Sequence, residues 1–350
     1  MTEIAVVILN WNTRRQLETF LPGVIEHSQE EGTEVVVADN GSTDGSVDYM
    51  KTHHPGIRLI EFGKNYGFTG GYNRALRQVD AEYYMLLNSD VAVGANWLRP
   101  LKDCLEQHPG TAACMPKIKS YHQPEYFEYA GAAGGFIDRY GYPFCRGRIL
   151  DTVEKDTGQY DVSSEIFWAT GACMLVRADL FHAEGGFDDE FFAHMEEIDL
   201  CWRLKNAGHT IRYVPESAVY HVGGGTLSND SPFKLYLNYR NNLYLLYKNL
   251  PFRKMHRIMF IRMGLDVLSS LVFLFQGKPR CFLAVFRAHR HFFSSLPGLK
   301  KKRKGHPQFS SNYPTGVYQK SILMSYFLKG DKQFDRLNFP AENNDGQVIK

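Results

Sequence analysis

Apolar residues in the first ninety positions come in short unbroken runs: Ile4-Ala-Val-Val-Ile-Leu9, Glu34-Val-Val-Val-Ala38, Ile57-Arg-Leu-Ile-Glu-Phe62 and Tyr83-Tyr-Met-Leu-Leu87. Continuous β-branched and aromatic runs of this length are the pattern of strands buried on both faces. Between them lie stretches with helical spacing. The first is expected from Arg14 to His27, with Asn12 or Thr13 able to cap it. Each run ends in polar, glycine-rich chain: Asn10-Trp-Asn12-Thr13, Asp39-Asn-Gly-Ser-Thr-Asp44-Gly, Gly63-Lys-Asn65-Tyr-Gly67 and Asn88-Ser89-Asp90. Strands alternating with helices predict a mostly parallel, Rossmann-like α/β sheet flanked by helices. Ligands bind beyond the carboxyl ends of such strands, so the four turns are expected to converge on one crevice.

Farther along, glycines interleaved with aromatics between Tyr121 and Ser164 read as irregular hairpins and loops. A strand at Cys173–Val176 follows, then a helix from Glu196 to about Ala207, stopped by Gly208. Two short strands are expected at Thr210–Val214 and Ala218–His221, the second running into Val-Gly-Gly-Gly-Thr226. Pro232 to Asn249 reads as a long tyrosine-rich helix. The expected organisation is a catalytic sheet domain over residues 1–228, a helical region over 229–305 and a tail over 306–350.

The C-terminal third changes the picture through its charge. Between Arg253 and Lys304 the only acidic residue is Asp266, amid many Lys and Arg and the runs Leu271-Val-Phe-Leu-Phe275 and Phe282-Leu-Ala-Val-Phe286. Two basic amphipathic helices lying on an anionic membrane surface account for this. A helical appendage packed on the first domain is the alternative. A bilayer span is less favoured, because the first apolar run falls short of ~20 residues and would carry Arg262 and Asp266 on one helical face. The tail is expected to fold back as a strand or short helix around Ser321–Phe327, with its last ten residues disordered.

Bulk composition bounds the rest. A chain of 350 residues, 44% hydrophobic and 14% aromatic, builds a full core and is not disordered. A net charge of +2 gives no argument for nucleic acid. The six cysteines lack C-x-x-C pairing, so free thiols in a reducing cytosol are expected. The N-terminus enters a strand at once, with no basic n-region, so no signal peptide is expected.

Glu196, Glu197 and Asp199 stand together in the first turn of the helix expected after a Gly-Gly and a Phe-Phe pair. The helix dipole favours carboxylates there, but one held so firmly can also take a proton from a bound hydroxyl. Asp90, beside Asn88 at a strand end, suits a divalent cation or a helix cap. His221 at another strand end is a ligand or a structural imidazole. Asp39 and Asp44 could read a base or ribose, or serve as turn residues. Gly67-x-x-Gly70-Gly71 lets backbone N–H groups approach a diphosphate. The chain has no Gly-x-Gly-x-x-Gly after its first strand and no Gly-x-x-x-x-Gly-Lys-[Ser/Thr], which disfavours a dehydrogenase and a P-loop NTPase.

The ordered set Val-Val-Ile-Leu-Asn-Trp-Asn, Asp39-Asn-Gly-Ser-Thr-Asp44, Asn65-Tyr-Gly-Phe68 with Gly71 and Asn73, Asn88-Ser-Asp90, Gly171-Ala, Phe-Phe-x-x-x-Glu196-Glu197-x-Asp199-Leu-Cys-Trp-Arg203 and Tyr-His221 resembles the family 2 inverting glycosyltransferases of GT-A fold, in particular the bacterial rhamnosyltransferase-like branch. The resemblance covers roughly residues 1–250. It implies that Asp39 and Asp44 contact the nucleobase or ribose, and that Asn10, Asn12, Asn65, Gly67, Asn73, Asn88 and Ser89 line the donor pocket. Arg240 would meet the phosphates. Asp90 would hold Mg²⁺ or Mn²⁺ on the donor diphosphate, with His221 as second ligand. Glu197 takes the place of the base, with Glu196 and Asp199 around it, and Trp168, Thr170, Gly171 and Ala172 face the acceptor.

Two departures matter. The usual Asp-x-Asp is here Asn88-Ser-Asp90, leaving one negative charge for the metal. The base position carries glutamate after glutamate, which leaves Glu196 or Glu197 open as the base. The implied protein is a metal-dependent inverting transferase, peripheral at the cytoplasmic face of the inner membrane and compatible with a homo-oligomer. It would move a sugar, with dTDP-rhamnose favoured as donor, to a saccharide or lipid-linked saccharide in surface polysaccharide synthesis. A nucleotidyltransferase on a similar sheet lacks support because no basic, glycine-rich triphosphate loop follows the first strand. A non-catalytic membrane scaffold would not need Asp90, Glu197 and His221.

Overall fold

The computed structural model describes residues 2–223, 231–305 and 314–339. Gly224–Thr226 and the last ten residues, on which two of the expectations fall, lie outside them. The four apolar runs form β1 (Thr2–Asn10), β2 (Thr33–Asp39), β3 (Arg58–Glu61) and β4 (Ala81–Asn88), all paired in parallel. Helices α1 (Arg14–Glu26), α2 (Ser46–His53) and α3 (Gly67–Leu76) alternate with them. Neither Asn12 nor Thr13 caps α1. The Asp44 carboxylate does, accepting the Arg14 N–H at 2.8 Å, while the Thr13 hydroxyl is committed to Asn10.

Beyond β4 come β5 (Val91–Val93), α4 (Arg99–Gln107) and β6 (Thr111–Ser120). The glycine- and aromatic-rich stretch builds the short strands β7 (Gly135–Asp138), β8 (Pro143–Cys145), β9 (Arg148–Ile149) and β10 (Thr152–Val153). Then follow β11 (Ser164–Ile166), β12 (Cys173–Arg177), α5 (Ala178–Ala183), α6 (Glu196–Asn206) and β13 (Thr210–His221). The large sheet runs β11-β13-β6-β12-β4-β1-β2-β3, with β5 on β13. It is mixed, because β12 is antiparallel to both β4 and β6. The two strands expected near 210–221 are one. Its register against β6 shifts between Val214 and Ala218, where Pro215 has no N–H to give to the ladder.

Three long helices follow, α7 (Pro232–Asn249), α8 (Phe252–Phe275) and α9 (Pro279–Gly305), with α8 and α9 forming a hairpin on α7. The tail returns as β14 (Val317–Tyr318), parallel to β7 in the small sheet, followed by a helical turn at Ile322–Met324. By length and composition α8 is long and apolar enough to cross a membrane, but one face of it is polar and docked. The buried Arg262 guanidinium donates to Asp266 at 2.8 Å and to the Gly141 carbonyl at 3.3 Å, and lies 3.8 Å over the Tyr142 ring. His289 of α9 reaches the other Asp266 oxygen at 3.2 Å.

Removing one partner of a buried pair leaves the other charge uncompensated. Asp266→Ala is therefore expected to cost about 3–5 kcal/mol in urea unfolding. A loss within the surface range of about 0.5 kcal/mol would show that the hairpin is not anchored there.

Candidate active site

The antiparallel direction of β12 decides where the site lies. It sets the start of β12 beside the end of β4: Cys173 pairs with Leu87, and the Asn88 N–H donates to the Ala172 carbonyl at 2.9 Å. The turn Thr170-Gly171-Ala172 thus abuts Asn88-Ser89-Asp90. The same turn touches α6, since a Cβ on Gly171 would lie 3.3 Å from the Phe68 ring and 3.9 Å from Glu197 Cβ. Asp90 and Glu197, remote in the chain, flank one turn at the carboxyl ends of the strands.

Glu196 and Glu197 open α6 after Met195, which supplies no side-chain cap. Each has a buried Oε2 with no hydrogen-bond partner among the described residues. Burial pushes the Glu197 carboxyl up to about 7, against the pull of the first-turn amides of Glu197 and Ile198. Glu196 is raised as well, by burial first and then by the neighbouring Glu197 charge. Glu196 is 5% exposed whereas Glu197 is only partly buried, so Glu197 is the more accessible of the two.

Asp199, expected in the same surroundings, turns away. It is fully buried, accepting from Arg203 at 2.9 Å, Lys248 at 2.8 Å and Asn249 at 2.9 Å. Burial alone would raise its carboxyl, but Lys248 and Arg203 outweigh that and hold it low. One helical residue past Ile198 puts it on the face packed against α7, where it binds elements together. Arg203 also donates to the carbonyls of Glu184 and Gly186 at 2.6 and 2.8 Å, fixing the double-glycine turn that leads back toward the crevice.

The segment Asp189–Met195 is a strap between the turn at Gly67 and the start of α6. Phe192, His194 and Met195 all have positive φ, 65°, 70° and 71°, a strain that persists only where neighbours over-determine it. The Phe192 carbonyl accepts from the N–H groups of Phe68 at 2.8 Å and Thr69 at 3.3 Å, and the Phe192 ring fills the space where a Gly67 Cβ would stand. Those amides, expected to approach a diphosphate, are therefore taken. Arg240, expected at the phosphates, instead donates to the Glu190 and Phe191 carbonyls at 2.8 and 3.0 Å. Its neighbour Asn241 donates to the carbonyls of Phe191, Ala193 and His194 at 3.0, 2.8 and 2.7 Å. Asn73 clamps the strap's other end, donating to Phe187 O at 2.7 Å and accepting from Phe187 N–H at 2.9 Å.

At the ends of β1 and β2, buried Asn10 donates to Asp39 Oδ1 at 2.7 Å, and Asp39 Oδ2 accepts the Ser42 N–H at 2.9 Å. Asn12 accepts the Thr43 N–H at 2.7 Å, and Asn65 accepts from Gly67 N–H at 2.7 Å and from Asn40 at 3.0 Å. These residues hold the three turns at the ends of β1, β2 and β3 against one another. Ser89 joins them through the Thr13 hydroxyl at 2.9 Å. Trp168, expected to face the acceptor, is 4% exposed and donates to the Phe136 carbonyl at 2.9 Å. Its ring packs flat on Gly135, so it belongs to the core.

At the end of β13, His221 Nε2 lies 3.1 Å from Asp90 Oδ1 and 3.4 Å from Asn88, and Nδ1 lies 3.4 Å from Glu128. Burial would lower the imidazole, but Asp90 and Glu128 prevail and push it up to about 10. Glu128, from the irregular stretch, carries no signal in the sequence. Two adjacent ligands at ~2.1 Å from one ion stand about 3 Å apart, so the Asp90–His221 separation fits a divalent cation. Among the described residues no group of three His, Cys, Asp or Glu is placed to hold an ion. The contact is an ion pair between the charged imidazole and the carboxylate, and an ion placed there would have to displace the imidazole proton and find further oxygens from elsewhere. Two surface clefts, of about 480 Å³ beside Val79–Ala81 and about 430 Å³ beside Thr2 and Glu31, lie at the strands' amino ends, away from all of these groups.

A mixed sheet that gathers its polar turns around an aspartate–histidine pair, across one turn from a helix-borne glutamate, is the architecture of the GT-A glycosyltransferases. The family model described as "Glycosyl transferase family 2" matches residues 5–183, and the chain belongs to that family. It is similar to the N-acetylglucosaminyl-diphospho-decaprenol L-rhamnosyltransferase of Mycobacterium tuberculosis (strain CDC 1551 / Oshkosh), 29% identical over 265 residues, covering 70% of this chain and 85% of that one. Rhamnosyltransferase WbbL of Escherichia coli (strain K12) is 26% identical over 217 residues, covering 58% and 79%. These relatives put the chain in the rhamnosyltransferase-like branch. Among solved structures, mannosyltransferase PcManGT from Pyrobaculum calidifontis with GDP-Man and Mn²⁺ superposes with a TM-score of 0.50 at 15% identity, covering 87% of this chain and 82% of that one. GalNAc-T7 with UDP, GalNAc and Mn²⁺ gives 0.57 at 15% identity, covering 73% and 49%. At such identity the likeness is one of fold.

The raised Glu197 carboxyl has a consequence for stability. The folded chain keeps a proton that the unfolded chain gives up between the ordinary value of 4.5 and about 7. This group therefore lowers stability as pH rises through that window. Glu197→Gln should gain on the wild type across the window and no further above it, in urea unfolding at stepped pH. Parallel stability curves for the two proteins would mean that the carboxylate sits in bulk water.

Proposed function

We propose that this transferase moves a sugar from a nucleoside diphosphate to a hydroxyl of a saccharide or lipid-linked saccharide, with inversion at the anomeric carbon. One observation carries the reading. A partly accessible glutamate, proton-holding and with one carboxyl oxygen unpartnered, stands across the Thr170–Ala172 turn from the Asp90–His221 pair. The names of the relatives favour L-rhamnose as the sugar, hence dTDP-rhamnose as donor, and a lipid-diphosphate-linked saccharide as acceptor. The setting is surface polysaccharide synthesis at the cytoplasmic face of the inner membrane.

The turns held by Asn10, Asp39, Asn40 and Asn65 present a rigid bed for the nucleotide. Asp90 and His221 would hold Mg²⁺ or Mn²⁺, which neutralises charge on the departing diphosphate. With a single carboxylate there and an imidazole that must first give up its proton, oxygens of the donor's own diphosphate would complete the ligand set. Glu197 takes the proton from the acceptor hydroxyl. The hydroxyl oxygen bonds to the anomeric carbon on the face opposite the leaving diphosphate, and the carbon–oxygen bond to phosphate breaks. A base on that opposite face is what makes the outcome inverting, as in inverting glycosidases. Burial puts the Glu197 carboxyl near neutrality, where a general base works best. Glu196, less accessible and more strongly protonated, keeps a second negative charge away from the crevice.

Glu197→Gln is expected to lose about 10²–10⁴ in turnover while a nucleoside diphosphate with Mn²⁺ still stabilises it, by about 2.7 kcal/mol at a hundredfold excess over Kd. In the wild type, kcat/KM should rise with pH and level off above about 7, as the base loses its proton. Near-normal turnover in the variant would remove Glu197 from the chemistry. Absence of stabilisation by any nucleoside diphosphate would remove the donor.

A further inference from the structure

The outward surface of the α8–α9 hairpin joins two properties that soluble surfaces keep apart. Leu268, Val272, Phe275, Leu283 and Phe286 are 61, 52, 87, 61 and 42% exposed. They cluster where α8 ends and α9 begins, and residues 274–280 are exposed without a break. The same hairpin shows no negative charge. Its single carboxylate, Asp266, is fully buried between Arg262 and His289. Arg253, Arg257, Arg280, Arg287 and Arg290 are exposed. Contiguous exposed apolar surface marks an interaction site, and the charges choose among partners. A nucleic acid would meet the arginines but leave the phenylalanines in water. A second copy of the hairpin would oppose arginine to arginine. An anionic leaflet satisfies both, taking arginine at its headgroups and Leu and Phe into the acyl boundary about 5–10 Å down.

The buried face settles the attitude of the helices. Arg262 and Asp266 occupy the side of α8 docked on Gly141 and Tyr142, so that side belongs to the protein and the opposite side is available to lipid. We propose that the hairpin is a monotopic docking surface for an anionic lipid leaflet, with α8 and α9 lying along the interface instead of crossing it. The proposal stands on this surface alone. Only its bearing on a lipid-borne acceptor rests on the glycosyltransfer reading. That bearing is direct, because α9 packs on α7, and α7 carries Arg240 and Asn241, which hold the strap leading to Glu197.

The test uses the full chain floated on vesicles of phosphatidylglycerol and phosphatidylethanolamine, and on vesicles of phosphatidylcholine alone. Binding should be at least about tenfold stronger to the anionic vesicles, weaken with salt, and be removed by alkaline carbonate. The double variant Val272→Glu, Phe275→Glu should lose about tenfold or more of that binding, while its thermal shift with a nucleoside diphosphate and Mn²⁺ stays that of the wild type. Glu197→Gln should float as the wild type does whatever its turnover, so docking and catalysis fail separately. The proposal is overturned by equal flotation of the double variant, by resistance to carbonate, or by a vesicle-indifferent dimer that the double variant dissociates.

Discussion

The pairing of β12 against β4 in the antiparallel sense is the constraint on which the molecule's chemistry depends. Had β12 run parallel to its neighbours, its first residues would have stood at the far edge of the sheet. Reversed, it brings Ala172 to the Asn88 amide and carries Gly171 up to α6. One hydrogen bond at 2.9 Å thereby ties the end of the parallel half to the beginning of the half that carries α6. The parallel half alone has the polar turns, and the second half brings the carboxylates of α6.

What keeps Glu197 in readiness is a second constraint, applied through backbone and not through its own side chain. The strap before α6 is strained at three residues, and each strained stretch is matched by donors from elsewhere: two amides of α3, and Arg240 and Asn241 from α7. Strain of this sort costs of order 1–3 kcal/mol per residue and has to be offset by surrounding contacts. Here those contacts are buried side-chain amide and guanidinium groups whose partners are main-chain carbonyls. One carboxylate oxygen, Oε2, is left without a hydrogen bond, and burial outweighs the first-turn amides in setting its affinity for a proton.

The parts legible in the sequence were those in which local pattern and global position agree. Strands β1 to β4 are buried on both faces, so their apolar runs are unbroken and their polar ends mark the crevice. Strand β6 hid behind Pro116, Lys117 and Lys119, whose burial depends on partners such as Asp156 that no local pattern displays. Pro215 made one strand look like two. In the site, residues on turns between strands and helices were brought together where expected, because a strand end fixes where a turn lies. Arg240 and Asp199 sit inside helices, where direction is set by which face packs on a neighbour. Both point into interhelical contacts that only tertiary structure creates. The neighbouring Asn241 was detectable in principle as a polar residue at a buried helical position.

Gly67 shows how tightly the two ends of the crevice are geared. A methyl group there would come within 2.5 Å of the Phe192 ring, and the ring cannot retreat without dragging its carbonyl off the amides of Phe68 and Thr69. Displacement would then pass along four residues to the helix that bears Glu197. A side chain added at the end of β3 would thus be felt mainly as a shift in the aim of the Glu197 side chain, on the proposed reading a fault in turnover more than in binding.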